Sequence, residues 1–165
     1  MTPAITFEEL LAWNHESANF WKTHLDANPE LLQLPCGIGG TGDVQAFVRH
    51  IFVAELLWSQ RVAGLEESPK ESIPAGPLEA LFGLHLAAAE IFRTMLDDPG
   101  RNWDETYTLS FPWLPPQART ASKRKLFAHA LLHSQRHWAQ LATLVRAAGF
   151  PSGFKGDLLF SSALE

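Results

Sequence analysis

A single uninterrupted stretch near the end of the chain constrains the fold most. Residues 125–149 contain no proline and no internal glycine, are rich in Ala and Leu, and close on Gly149-Phe150-Pro151. These features predict one long helix with a glycine at its C-terminus. Apolar positions recur in it every three or four residues, so they form one stripe along the helix. The stripe comprises Leu126, Ala130, His133, His137, Leu141, Leu144 and Ala148.

Two histidines occupy core positions of that stripe. His133 and His137 are about one turn apart, so both imidazoles can reach one metal ion. His129 continues the series, but it lies about 12 Å from His137 along the helix axis. Metal–nitrogen bonds are about 2.0–2.1 Å long, so one ion takes only an adjacent pair. A third ligand must therefore come from another helix.

Three further helices are predicted upstream. Thr6 and Glu9 have the spacing of a capping box, and the helix that they open ends before Asn28. Helical patterns also cover residues 43–65 and 77–97, each bounded by proline- and glycine-bearing loops. The sequence therefore predicts an all-α four-helix bundle, formed by a single domain over residues 1–165.

The connection before the last helix has a different character. Residues 103–111 alternate in part and carry the only clear strand propensity of the chain. This length is too short for an independent sheet, so we expect one short β-strand or a small ribbon across the bundle. The segment after Pro151 is apolar enough to fold back on the bundle.

Charge and cysteine content exclude several classes of protein. Thirteen basic and eighteen acidic residues give a net charge of −5, and the basic residues are scattered, so we expect no binding of nucleic acid. No run approaches the roughly 18 apolar residues of a membrane span, and no signal peptide is visible, so we expect a cytoplasmic protein without membrane association. Cys36, the only cysteine, has no basic neighbour in sequence and is interpreted as structural or incidental.

His50 is the best candidate for the third ligand. It lies on or beside the apolar seam of the second helix, where a lone histidine is usually a packed core residue. The pair on the last helix lacks a third partner, and this favours His50 as a ligand. Three neutral imidazoles leave a fourth position open, as in catalytic zinc sites. We interpret His85, near the inner face of the third helix, as packed or hydrogen bonded, and Asn14 as a buried amide, with a place near the site as the alternative.

These residues resemble those of the DinB/YfiT-like family of metal-binding four-helix bundles, over nearly the whole chain. The likeness rests on the second-helix segment that begins at His50 and on His129-Ala-Leu-Leu-His133-Ser-Gln-Arg-His137-Trp-Ala-Gln140. The resemblance implies a divalent metal on His50, His133 and His137. His129 matches a histidine common just upstream of the ligand pair, and we interpret it as an outer partner of the ligands or as a packing residue. The family often reads His-Arg-Gly-Gln where this chain reads His137-Trp-Ala-Gln140, so no role of that arginine is carried over.

The resemblance implies fold and metal more firmly than reaction. We expect zinc or nickel at the site and a metal-dependent enzyme, which activates a low-molecular-weight thiol or water for transfer to, or hydrolysis of, a small electrophilic molecule. Asn14, Glu55 and Gln140 are candidates for orientation or proton transfer, and the family implies a homodimer. The alternatives are a non-catalytic, stress-associated protein with a structural or regulatory ion, and a helical core whose histidines bind no ion.

Overall fold

The computed structural model describes residues 4–112 and 114–164, so both ends of the predicted domain, residues 1–3 and 165, lie outside it. Four helices pack together, which confirms the predicted bundle. No helix in the described ranges is long and apolar enough to cross a membrane. The helices are α1 (Phe7–Ala27), α2 (Val44–Ala63), α3 (Leu78–Leu96) and α4 (Lys123–Ala147).

Side-chain caps fix where the helices begin. The Thr6 hydroxyl accepts from the backbone N–H of Glu9, whose carboxylate accepts from the backbone N–H of Thr6, so the predicted capping box is present. Asp43 caps α2 through its carboxylate, which accepts from the backbone N–H of Ala46. Ser122 caps α4, which therefore begins at Lys123, two residues before the predicted start.

A two-stranded antiparallel hairpin precedes α4. Its strands are β1 (Thr106–Thr108) and β2 (Thr120–Ser122), with Tyr107 opposite Ala121. This confirms the predicted ribbon, although only its first strand was recognisable from the sequence. Ser122 ends β2 and also caps α4, so the hairpin leads directly into the last helix.

The bundle interior is divided into two apolar clusters by a layer of buried polar side chains. One cluster contains Trp21, Phe47 and Trp138, and the other contains Phe92 and Phe127. Along each helix, buried polar residues separate the residues of one cluster from those of the other. We call these residues the polar layer: Asn14 and Ser17 of α1, Glu55 and Ser59 of α2, His85 of α3, and Ser134, Gln135 and His137 of α4.

The segment after α4 folds back on the bundle, as expected. Phe154 packs against the first apolar cluster and contacts Trp21 with a ring-centroid distance of 5.3 Å. Ser161 and Ser162 both donate hydrogen bonds to the carboxylate of Glu16 on α1. The tail therefore covers one face of α1.

Candidate metal centre

Helices α2 and α4 bring together the three histidines predicted as ligands. One ring nitrogen from each of His50, His133 and His137 lies within 4.8 Å of the other two. The ring centroids are 4.3 Å apart for His133 and His137, 5.1 Å for His50 and His137, and 5.4 Å for His50 and His133. We call these three residues the histidine cluster.

Hydrogen bonds direct the ring nitrogens of His137. Its Nδ1 lies 2.6 Å from Oε1 of Gln140, and because an amide oxygen only accepts, Nδ1 carries the proton. The lone pair is thereby left on Nε2, which lies 3.0 Å from Nε2 of His133. Such an outer hydrogen bond is what fixes the tautomer of a metal-binding histidine. Gln140, predicted as an orienting residue, occupies a position from which it can orient His137.

Burial keeps the three imidazoles uncharged. Desolvation, together with His137, His50 and the Arg136 guanidinium, lowers the pKa of His133 to about 3. Desolvation also lowers the pKa of His50 and of His137, with Arg136 acting in the same direction. Since only the neutral imidazole donates a lone pair to a metal, all three rings are in the ligand form at neutral pH.

The donor set fits a small divalent ion. Two nitrogens bound tetrahedrally at about 2.0–2.1 Å are about 3.3 Å apart, close to the separation of the two Nε2 atoms. His133 Nδ1 is buried and has no hydrogen-bond partner within residues 4–112 and 114–164. Within the same ranges, no carboxylate, thiolate or further imidazole joins the cluster. Three protein ligands with a fourth position open is the arrangement of catalytic rather than structural zinc sites.

The immediate surroundings combine apolar and cationic groups. The buried ring of Phe47 packs edge-on against His137, with centroids 5.1 Å apart. Nη2 of Arg136 lies 3.3 Å from Nε2 of His137. Arg136 and Gln140 also line an open groove of about 660 Å³, which Ile38, Thr143 and Leu144 help to form. None of the three histidines lines this groove, and it is connected to the cluster through Arg136 and Gln140, which both contact His137.

Two predicted site residues make their contacts elsewhere. Asn14 donates to Oε1 of Glu55 at 2.8 Å, and Oε2 of Glu55 lies 2.6 Å from Nδ1 of His85. No hydrogen bond described for Asn14 or Glu55 reaches the histidine cluster, so both belong to the polar layer. The interpretation of Asn14 as a buried amide is confirmed, and its partners include the side chains of Glu55 and Gln135. His85 is hydrogen bonded, as predicted.

His129 and Trp138 have packing roles. The ring of His129 packs edge-on against Trp58 and is 5.9 Å from His133 between centroids, consistent with a place beside the cluster. Trp138, which replaces the arginine often found in the family motif, is fully buried and stacks on Trp21 with centroids 6.0 Å apart. The departure from the motif therefore adds to the core.

No motif or spacing in the sequence pointed to His15. This residue follows the buried Asn14 on α1, and its Nδ1 is 2.9 Å from Nε2 of His85. Only the pairing of α1 with α3 brings the two rings together.

The fold and the cluster together define a helical bundle with a candidate three-histidine metal centre between α2 and α4. The sequence model of the DinB family matches residues 1–156, so the chain belongs to that family. No curated protein matches the sequence at a significant level.

Proposed function

We propose that the protein is a metal-dependent enzyme whose ion is held by His50, His133 and His137. The observation that carries this proposal is the meeting of three neutral ring nitrogens within 4.8 Å, without a fourth protein donor from the described residues. Zinc or nickel suits imidazole ligands. A divalent ion bound there would act as a Lewis acid, which lowers the pKa of a thiol or of water so that a nucleophile exists at neutral pH.

The residues around the cluster have separable tasks in this proposal. Gln140 holds His137 in the tautomer that presents Nε2 to the ion. The ring of Phe47 shields one side of the cluster from water. Arg136, for which no carboxylate partner is described, supplies a positive charge at the rim of the neighbouring groove. These features favour a small electrophilic substrate that enters along the groove and reacts with a thiol cofactor or water.

Metal binding is tested by titration of the chelator-treated protein with zinc and with nickel in a calorimeter. We expect one ion per chain, and we expect His50→Ala, His133→Ala and His137→Ala each to abolish stoichiometric binding. His129→Ala is the matched control, since it removes a neighbouring imidazole of the same helix and should leave binding intact. Unchanged binding in His133→Ala would refute the assignment of the ligands.

Activity is tested with cysteine or coenzyme A as the thiol and 1-chloro-2,4-dinitrobenzene as the electrophile, and with activated esters for hydrolysis. Turnover that requires zinc or nickel and is lost in His137→Ala supports an enzyme. Metal that raises the melting temperature without any turnover supports the alternative, a non-catalytic protein with a structural or regulatory ion.

A further inference from the structure

The polar layer contains a chain of titratable groups that the histidine cluster does not use. Glu55 and His85 are each 1 % exposed, and their 2.6 Å contact joins Oε2 to Nδ1. Nε2 of His85 in turn lies 2.9 Å from Nδ1 of His15, which is half-buried. Asn14 donates a further hydrogen bond to Glu55. Glu55 of α2, His85 of α3 and His15 of α1 therefore form one continuous hydrogen-bonded series.

This series determines which nitrogen of His15 is free. The Glu55 carboxylate only accepts, so Nδ1 of His85 carries a proton. When both rings are neutral, Nε2 of His85 accepts from Nδ1 of His15. His15 is then left with an unprotonated Nε2, for which no hydrogen bond is described within the resolved ranges. Desolvation, His85 and Arg93 lower the pKa of His15, while Glu55 raises it, so the ring is neutral at neutral pH.

A cavity of about 340 Å³ adjoins His15, at the small end of the range for ligand pockets. Leu11, Ala12 and Leu96 give it apolar walls. Its charged lining residues are Glu8, Asp97 and Arg93, and the Arg93 guanidinium also contacts Glu90 on its own helix at 3.2 Å. A guanidinium has five N–H groups, so Arg93 retains donors for a ligand. The two carboxylates disfavour an anion.

We propose that this cavity is a second reactive site, in which Nε2 of His15 is the general base for the attack of water on a small uncharged acyl compound such as an ester. His15 is the catalytic residue, because it would contact the attacking water. His85 and Glu55 are positioning residues that act through His15. Arg93 donates a hydrogen bond to the carbonyl oxygen, where negative charge develops during the attack.

The proton follows the hydrogen-bonded series. Water gives one proton to Nε2 of His15 as its oxygen bonds to the acyl carbon, and the proton on Nδ1 of His15 passes to Nε2 of His85. The resulting imidazolium lies against the Glu55 carboxylate, which stabilises its charge. The C–O bond to the alcohol then breaks, the alkoxide leaves with the electron pair, and the stored proton returns through His15 to the leaving group or to solvent. Water and the ester are the only reactants.

The test uses 4-nitrophenyl acetate as the probe, at neutral pH in the presence of a chelator. Hydrolysis by the wild-type chain should fall about a hundredfold or more in His15→Gln, the usual contribution of a general base. His24→Gln is the matched control, because it removes a half-buried imidazole of the same helix that has no carboxylate behind it, and its rate should equal that of the wild type. Equal rates in His15→Gln and wild type would overturn the proposal.

Added zinc separates this site from the histidine cluster. The rate lost in His15→Gln should be the same with chelator and with zinc, whereas hydrolysis at the cluster would require the ion. A rate that disappears with chelator and is insensitive to His15→Gln would assign the activity to the cluster and overturn the second site.

Two further measurements test the roles of Glu55 and His85. Nitrogen NMR of the wild-type imidazoles should show His15 protonated on Nδ1 and not on Nε2, and Glu55→Gln should weaken this preference and lower the rate toward that of His15→Gln. If Glu55→Gln does not fold, the nitrogen NMR of the wild-type chain is decisive by itself. Protonation of His15 on Nε2 would contradict the proposal.

Discussion

The contact between Glu55 and His85 gives the sharpest prediction about stability. Both side chains are 1 % exposed, so solvent screens their interaction very little. His85→Leu fills a similar volume but leaves the Glu55 carboxylate buried with Asn14 as its remaining described partner. Because His85 donates to a buried carboxylate, its removal leaves that charge uncompensated and costs about 3–5 kcal/mol of folding free energy, a large share of the roughly 5–15 kcal/mol by which a domain is stable.

Urea unfolding followed by circular dichroism measures this loss. With a slope of about 2 kcal/mol per molar urea, the midpoint should fall by roughly 1.5–2.5 M. Glu90→Gln on the same helix is the control. It breaks the contact between Glu90 and Arg93, whose side chains are 73 % and 51 % exposed, and should cost at most about 1 kcal/mol.

The double variant Glu55→Leu/His85→Leu sharpens the test. It removes the buried charge as well as its partner, so it should be more stable than His85→Leu by at least about 1 kcal/mol. If His85→Leu lies within about 1 kcal/mol of the wild type, or if the double variant is the less stable of the two, the pair does not have the energetic role that we assign to it.

Three further predictions concern other parts of the bundle. In the chelator-treated protein the pKa of His133 is about 3 against 6.5 in the unfolded chain, so the unfolded state binds the extra proton as the pH falls below 6.5. The free energy of unfolding should therefore be constant above pH about 6.5 and lower by about 1–2 kcal/mol at pH about 5, a range that allows for partial solvent screening. Urea unfolding at the two pH values measures this loss, which should be smaller for His133→Gln. Trp138→Ala removes a fully buried ring that stacks on Trp21 and should cost about 3–5 kcal/mol, measured the same way. Asp43→Ala deletes the cap of α2 and should cost about 1 kcal/mol, while Asp43→Asn should retain most of it, as thermal unfolding can show.

The helices were predictable because their ends carry local signals. The capping box at Thr6 and the glycine and prolines after α4 act within a few residues, so the sequence alone locates them. The grouping of His133 and His137 was equally local, since helical periodicity puts them on one face. His50 is the best candidate for the third ligand by its place beside the apolar seam of the second helix, and the family resemblance supports the same choice. The structure shows that α2 packs against α4.

The polar layer was beyond sequence reasoning. Periodicity shows which face of a helix a residue occupies. It does not show which residues of two packed helices lie at the same height along the bundle axis. Periodicity therefore leaves Asn14 and Glu55 as candidates for the histidine cluster, whereas the packing of α3 against both α1 and α2 brings them to each other and to His85. Strand β2 was missed for a similar reason, because three residues are too short for a pattern and owe their conformation to pairing with β1.

The polar layer also restricts how the four helices can align with one another along the bundle axis. Two helices with unbroken apolar stripes can shift relative to each other by one turn and still pack apolar side chains against apolar side chains. Here a slide of α2 or α3 by one turn would set Glu55 or His85 against an apolar side chain and strand a buried charge. The polar layer therefore specifies the register of the four helices, as a single buried asparagine does in some coiled coils, because misaligned arrangements are higher in free energy.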